Sequence, residues 1–173
     1  MAQALLEFRA GGPRRTAVGL GFDIHRLAEG RELWLAGVLV PSPKGLVGHS
    51  DADAVLHAAA DAVLGALGAG EIGLMFPPDN PKIKGIPSRD IVAAVMAKLM
   101  TANAELSHLD LTVVAEEPAL SPHYRAFRIS LSQLFGVPEG HVNLKAKGHE
   151  GLGEIGRGEA IACYAAATLT LPG

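Results

Sequence analysis

Cysteine is nearly missing from this chain: Cys163 is the only one in 173 residues. A lone thiol excludes an internal disulfide and any thiolate-rich zinc finger or iron–sulfur site built by one chain, and it suits a reducing, cytoplasmic setting. Aromatic residues are scarce at 5%, although 49% of the chain is hydrophobic. The core must therefore use small and aliphatic side chains at close backbone approach. No apolar run approaches the ~20 residues of a membrane helix. The opening MAQALLEFRAGGPRR lacks the basic-then-apolar order of a signal peptide. No membrane is expected. Excess basic charge is absent too, since 15 Lys+Arg face 18 Asp+Glu for a net charge of −3. A general nucleic-acid binder needs clustered Lys and Arg, so no nucleic-acid partner is expected and any anionic ligand must be met locally.

What is present reads as one domain, residues 16–173, preceded by an extension over residues 1–15. Val18, Leu20 and Phe22 alternate with small residues as in a strand, and Glu32 to Val40 repeats that character in a hairpin-like opening. Ser50 followed by Asp53 resembles a capping box, beyond which Leu56, Ala60, Val63, Leu64 and Leu67 share a helical face ending at Gly68. Ser88 is read as the cap of a second helix with an Ile91, Val92, Val95, Met96, Leu99 and Met100 stripe. Leu109, Leu111 and Val113 mark a strand. Ser121-Pro122 opens a third helix striped by Tyr124, Phe127, Leu131, Leu134 and Phe135. Val142, Leu144 and Ala146 mark another strand, and Ala160 to Leu171 the last, alanine-rich one. The order β-β-α-α-β-α-β-β predicts an α+β fold, helices packed on one face of a mixed β-sheet.

The chemistry gathers in two places. In Gly21-Phe22-Asp23-Ile24-His25, Asp23 and His25 lie two apart in an extended chain and point the same way, as a two-ligand metal clip requires. A hydrogen-bonded surface pair would look alike. On the first helix Asp53, His57 and Asp61 recur every four residues beside His49-Ser50-Asp51; a solvated acidic stripe is the plainer reading of that spacing. Taken together they offer two imidazoles and a carboxylate, the set that holds zinc or a similar divalent cation with one position open for Lewis-acid chemistry. Helix N-terminal amides near Ser50 and the glycine-rich run Gly148 to Gly158 suit phosphate, though glycine runs also serve simply as turns.

Four segments in order, GFDIHRL, GHSDADAVLHAAADAVLGA, GEIGLMFPPDNPKIKG and VNLKAKGHEGLGEIGRGEAIA, resemble the signatures of the 2-C-methyl-D-erythritol 2,4-cyclodiphosphate synthases. The resemblance runs from about Val18 to Leu171. It implies a homotrimer with interfacial active sites and a Zn2+ ion, or another divalent cation, on Asp23, His25 and His57. It implies a small-molecule substrate, 4-diphosphocytidyl-2-C-methyl-D-erythritol 2-phosphate, cyclised with loss of CMP. A second ion, Mg2+ or Mn2+, is implied on the substrate diphosphate through Glu150. His49 and the position of Gly148 take the transition-state role. Ser50, Glu71, Ile72, Gly73, Phe76, Pro77, Pro78, Asp79 and Asn80 would hold the methylerythritol and 2-phosphate; Ala115, Pro118, Ala119, Lys147 and His149 would border the nucleotide. Arg157 with Glu159 would stand near a trimer axis that can take an isoprenoid diphosphate. The setting would be cytoplasmic, or the plastid stroma in a photosynthetic eukaryote.

The chain departs from the family pattern at five of these positions. Glu71 stands for an aspartate, Pro78 and Asn80 break the Phe76-Pro77-Pro78-Asp79-Asn80 run so that it shifts or loses a carboxylate, Ala119 stands for a lysine, and Gly148 for a threonine. Two rival readings accompany the synthase: a catalytically silent trimer that binds isoprenoid or nucleotide diphosphates, and a metal-dependent phosphohydrolase.

Overall fold

In the computed structural model, which describes residues 13–77 and 85–173, the first alternating segment forms a long strand, β1 (Arg14–Glu29). It lies in a five-stranded sheet with β4 (Lys44–Leu46), β5 (Glu105–Val114), β6 (Val142–Lys147) and β7 (Ala160–Pro172), in the order β4-β1-β7-β5-β6. Only the β5/β6 pair is parallel; the other three pairings are antiparallel, so the sheet is mixed as the pattern predicts. Helices α1 (Ala54–Leu67) and α4 (Tyr124–Phe135) pack on it, α3 (Ser88–Thr101) packs against these two helices, and a short α2 (Ile72–Met75) and α5 (Gly153–Gly156) stand in the connections. The predicted stripes are largely the buried ones: Ile91, Val92, Val95 and Leu99 on α3, and Phe127, Leu131 and Phe135 on α4. Met100, the outer limit of the α3 stripe, is exposed.

The scarcity of aromatics has its counterpart at the centre. Helix α1 is buried along almost its whole length, and six alanines carry it into the core. It lies on β1 at Gly19 and Gly21, where a Cβ would fall inside the van der Waals envelope of the Ala62 and Ala58 carbonyls. Glycine in these two positions is what brings a helix backbone directly onto a strand backbone. Across β1, Ala165, Ala167 and Cys163 of β7 extend the same small-residue floor.

Several local expectations are corrected. Glu32 to Val40 is no single strand: β2 (Leu33–Leu35) and β3 (Val38–Val40) form their own hairpin about Ala36-Gly37, both at positive φ, as a two-residue turn of the primed type demands. Ser50 does not cap α1. Asp53 does, accepting from the Val55 and Leu56 amides, and the same carboxylate accepts from Ala36 (2.9 Å) and Gly37 (2.6 Å) in the hairpin turn. The first-turn amides Val55 and Leu56 are thus satisfied by Asp53, so they are not the phosphate-binding groups expected near Ser50. Ser88 is the first residue of α3, after Pro87, and its side chain is turned to Asp51. A 3-10 turn at Ser121–His123 precedes α4, which therefore starts at Tyr124 and not at Pro122.

Gly21→Ala should destabilise the protein by about 1–3 kcal/mol, the range for overpacking, because its methyl meets backbone that cannot turn aside. Urea unfolding should show a lower midpoint with an unchanged slope.

Candidate metal centre

Asp23 and His25 stand on the same side of β1 as Gly19 and Gly21, the side α1 covers, so His57 is delivered onto them from the helix. Asp23 Oδ2 lies 2.9 Å from both His25 Nε2 and His57 Nδ1, and the two ring nitrogens are 3.3 Å apart. One donor atom from each residue falls within 4.8 Å of the others, and no second group of three such residues converges among the described residues. His57 is buried; Asp23 and His25 are partly so.

The far nitrogen of each imidazole is also occupied. His25 Nδ1 donates to the Val47 carbonyl at 2.9 Å, which leaves Nε2 as the inward lone pair. His57 Nε2 lies 2.9 Å from Ser88 Oγ and 3.2 Å from Ser50 Oγ. Outer partners of this kind fix ring orientation at metal sites. The donor set, two nitrogens and one oxygen with pinned rings, fits a divalent cation of the zinc type.

Burial would raise the Asp23 carboxyl, but the hydrogen bonds and charge of His25 and His57 outweigh it and hold the group down at about 2. Burial opposes charge on His25 as well, yet the Asp23 carboxylate beside it and the Val47 carbonyl raise its pKa above the ordinary 6.5.

The remaining candidates are spread around this cluster. Ser50 is buried at its edge, whereas His49 is exposed and its carbonyl accepts from Gly85. Glu71 and Gly73 are exposed and Ile72 and Phe76 partly covered; Ile72 donates its amide to Asp61 at 2.7 Å, and Pro77 ends that described stretch. Pro78, Asp79 and Asn80 lie outside the described residues. Ala115 is buried, its amide bonded to the Lys147 carbonyl, and a cavity of about 320 Å³ opens beside Pro118 and Ala119 between Lys44, Glu117 and Gly158. Lys147 ends β6, and it and the Gly148-His149-Glu150 loop that follows are exposed. Glu150 is outside the ligand group and adopts positive φ, while Gly148 has ordinary room for a side chain, the nearest atom being Glu116 Oε2 at 3.5 Å. Arg157 is exposed and paired with Glu159 at 3.1 Å and Glu154 at 3.5 Å.

Two polar residues escaped the pattern reading as parts of this centre, Asp51 and Ser88. The sequence pattern marks Ser88 as a helix cap, and only the 37-residue closure that brings it to Asp51 reveals its other use. The Asp53/His57/Asp61 stripe does share a helix, but with three separate jobs. Asp53 caps α1, His57 joins the cluster, and Asp61 accepts the Ile72 amide at the start of α2.

Comparison with known proteins gives the family of the chain. The YgbB family model matches residues 16–170. A "Bifunctional enzyme IspD/IspF" of Desulforudis audaxviator is 50% identical over 175 residues, 99% of this chain and 43% of that protein. The chain spans less than half the length of the bifunctional relatives it matches. A 2-C-methyl-D-erythritol 2,4-cyclodiphosphate synthase of Porphyromonas gingivalis is 45% identical over 88% of this chain and 94% of its own. A solved synthase in its CDP-bound form superposes with a TM-score of 0.81 at 39% identity, covering 88% of this chain and 99% of that one.

Proton and cation compete for the same lone pair on His25. Because its pKa is raised, the stabilisation from the His25–Asp23 pair is complete below about 6.5 and is lost as pH rises through the raised value. Cation affinity, measured by calorimetric titration, should rise with pH across that window, with proton release on binding, and level off above it.

Proposed function

The chain belongs to the YgbB family, with the cyclodiphosphate synthases among its relatives, and from that premise we propose that it converts 4-diphosphocytidyl-2-C-methyl-D-erythritol 2-phosphate to 2-C-methyl-D-erythritol 2,4-cyclodiphosphate and CMP in non-mevalonate isoprenoid synthesis. The observation that carries this reading is the convergence of Asp23, His25 and His57 on one point in a chain with that relationship. The 2-phosphate oxygen forms a bond to the β-phosphorus, the bond from that phosphorus to the α-phosphate oxygen breaks, and CMP leaves with the electron pair. No water is consumed.

Such a transfer is limited by positioning and by charge, not by any covalent step the protein must supply. A divalent cation, zinc by the donor chemistry, would be held by Asp23, His25 and His57 and supply Lewis-acid neutralisation of a phosphate oxygen. Around it Ser50, Glu71, Ile72, Gly73, Phe76 and Pro77 are assigned to the methylerythritol and its phosphate. The cavity beside Pro118 and Ala119 is assigned, with Ala115, Lys147 and His149, to the cytidine end. His49 is assigned to transition-state charge. At 148 the backbone amide is the only donor available, and Glu150 is assigned to the second ion, magnesium or manganese. The buried Cys163 suits the cytoplasmic setting that goes with this reading.

We also propose that the working form is a homotrimer. The face of β1 opposite the metal ligands carries Val18 (64% exposed), Leu20 (78%), Phe22 and Ile24, and the Tyr164 ring of β7 packs tilted against Phe22 with centroids 4.8 Å apart. A contiguous apolar sheet face of this kind calls for a covering surface. Two further copies of the chain would cover it and would bring one subunit's metal centre toward the next subunit's nucleotide loop. Arg157 and Glu159 are assigned to the axis of that trimer, with an isoprenoid diphosphate as its ligand.

Incubation of the purified protein with the substrate and divalent cations should release CMP and cyclic diphosphate in equal amounts. His57→Ala should lose bound metal and at least 10³-fold of that activity together. An open-chain product would favour the phosphohydrolase, and nucleotide binding without CMP release the silent trimer. In sedimentation the native protein should have three times the 17.9 kDa chain mass, and Leu20→Lys should sediment as a folded monomer.

A further inference from the structure

We propose that Ser88, oriented by Asp51, is a positioning residue for the metal centre: it holds His57 in the one tautomer that can bind a cation. The inference rests on the metal reading above and concerns residues to which that reading gives no role. His57 can carry its single proton on Nδ1, where Asp23 would accept it, or on Nε2, which leaves Nδ1 free for a cation. The choice belongs to whatever meets Nε2.

Ser88 is fully buried, and both its backbone amide (3.0 Å) and its hydroxyl are directed to the Asp51 carboxylate. An ionised carboxylate only accepts, so the Ser88 hydroxyl must donate to it. Ser88 Oγ then has only lone pairs left, one of which lies 2.9 Å from His57 Nε2. That oxygen can accept a proton from the ring but cannot give one. Ser50 is arranged compatibly: its oxygen accepts the Ala52 amide at 2.9 Å, and its hydroxyl lies 3.4 Å from Ser88 Oγ, which has a second lone pair to offer. Without Ser88 the nearest group to Nε2 is Ser50 at 3.2 Å, whose hydroxyl is free to donate and so to favour the tautomer protonated on Nδ1. Asp51, Ser88 and His57 thus form a directed chain from carboxylate to hydroxyl to imidazole, running from the approach to α1 through the first residue of α3.

The chain is tested on the full protein by zinc affinity, measured against a competing chelator. Ser88→Ala and Asp51→Asn should each weaken zinc binding by about 10–100-fold, the usual effect of removing an outer partner of a metal-bound histidine. The double variant should be no weaker than Ser88→Ala alone, since both changes break one chain. In zinc-loaded native protein the His57 Nε2 proton should give a slowly exchanging nitrogen-coupled resonance that Ser88→Ala loses. Native-like affinity in Ser88→Ala, or losses that simply multiply in the double variant, would overturn the assignment. Failure of the native protein itself to retain zinc would overturn the metal reading and this inference with it, and is told apart by the native control.

Discussion

The close seating of α1 on β1 is the constraint from which the rest follows. Gly19 and Gly21 remove the side chains that would hold the helix off, and the helix answers with Ala58 and Ala62. His57 is the neighbour of Ala58, and Asp23 is two residues along the strand from Gly21. A helix standing farther off, at the ~10 Å spacing of layers separated by large side chains, would leave His57 short of the carboxylate. The alanine content, the shortage of aromatics and the ligand geometry are therefore one fact seen three ways.

Asp53 secures the N-terminal end of the same helix, one turn before His57. A buried carboxylate is costly unless its oxygens are filled, and here four backbone amides fill them, two from α1 and two from the β2–β3 turn. The hairpin is thereby tied to the helix that carries His57. Ala36 keeps a left-handed conformation that alanine ordinarily avoids, with its amide committed to this carboxylate.

Periodicity made most of the architecture legible. Alternation at Leu109, Leu111 and Val113 and the α4 stripe are direct prints of one-sided burial, and these elements lie where the pattern puts them. It failed where local and distant demands compete. Ser50 and Ser88 both look like caps because serine caps helices readily, yet Ser50 faces His57, seven residues on, and Ser88 faces Asp51 through a 37-residue closure that no short window contains. Strand order was not readable either, since β1 and β7 pair across nearly the whole chain length. Of the site, the Asp-x-His spacing was legible because strand geometry is local, and His57 was legible as the one imidazole of its helix; the 34-residue closure that brings it to Asp23 belongs to the fold.

β1 uses both of its faces, odd-numbered Asp23 and His25 inward and even-numbered Val18, Leu20, Phe22 and Ile24 outward. Insertion or loss of a single residue between Gly19 and His25 would exchange the two sets, burying aliphatic groups beneath His57 and turning Asp23 and His25 outward. Such a strand is close to intolerant of length change. Variation in this protein must enter by replacement in that segment, and indels must be confined to the loops beyond it.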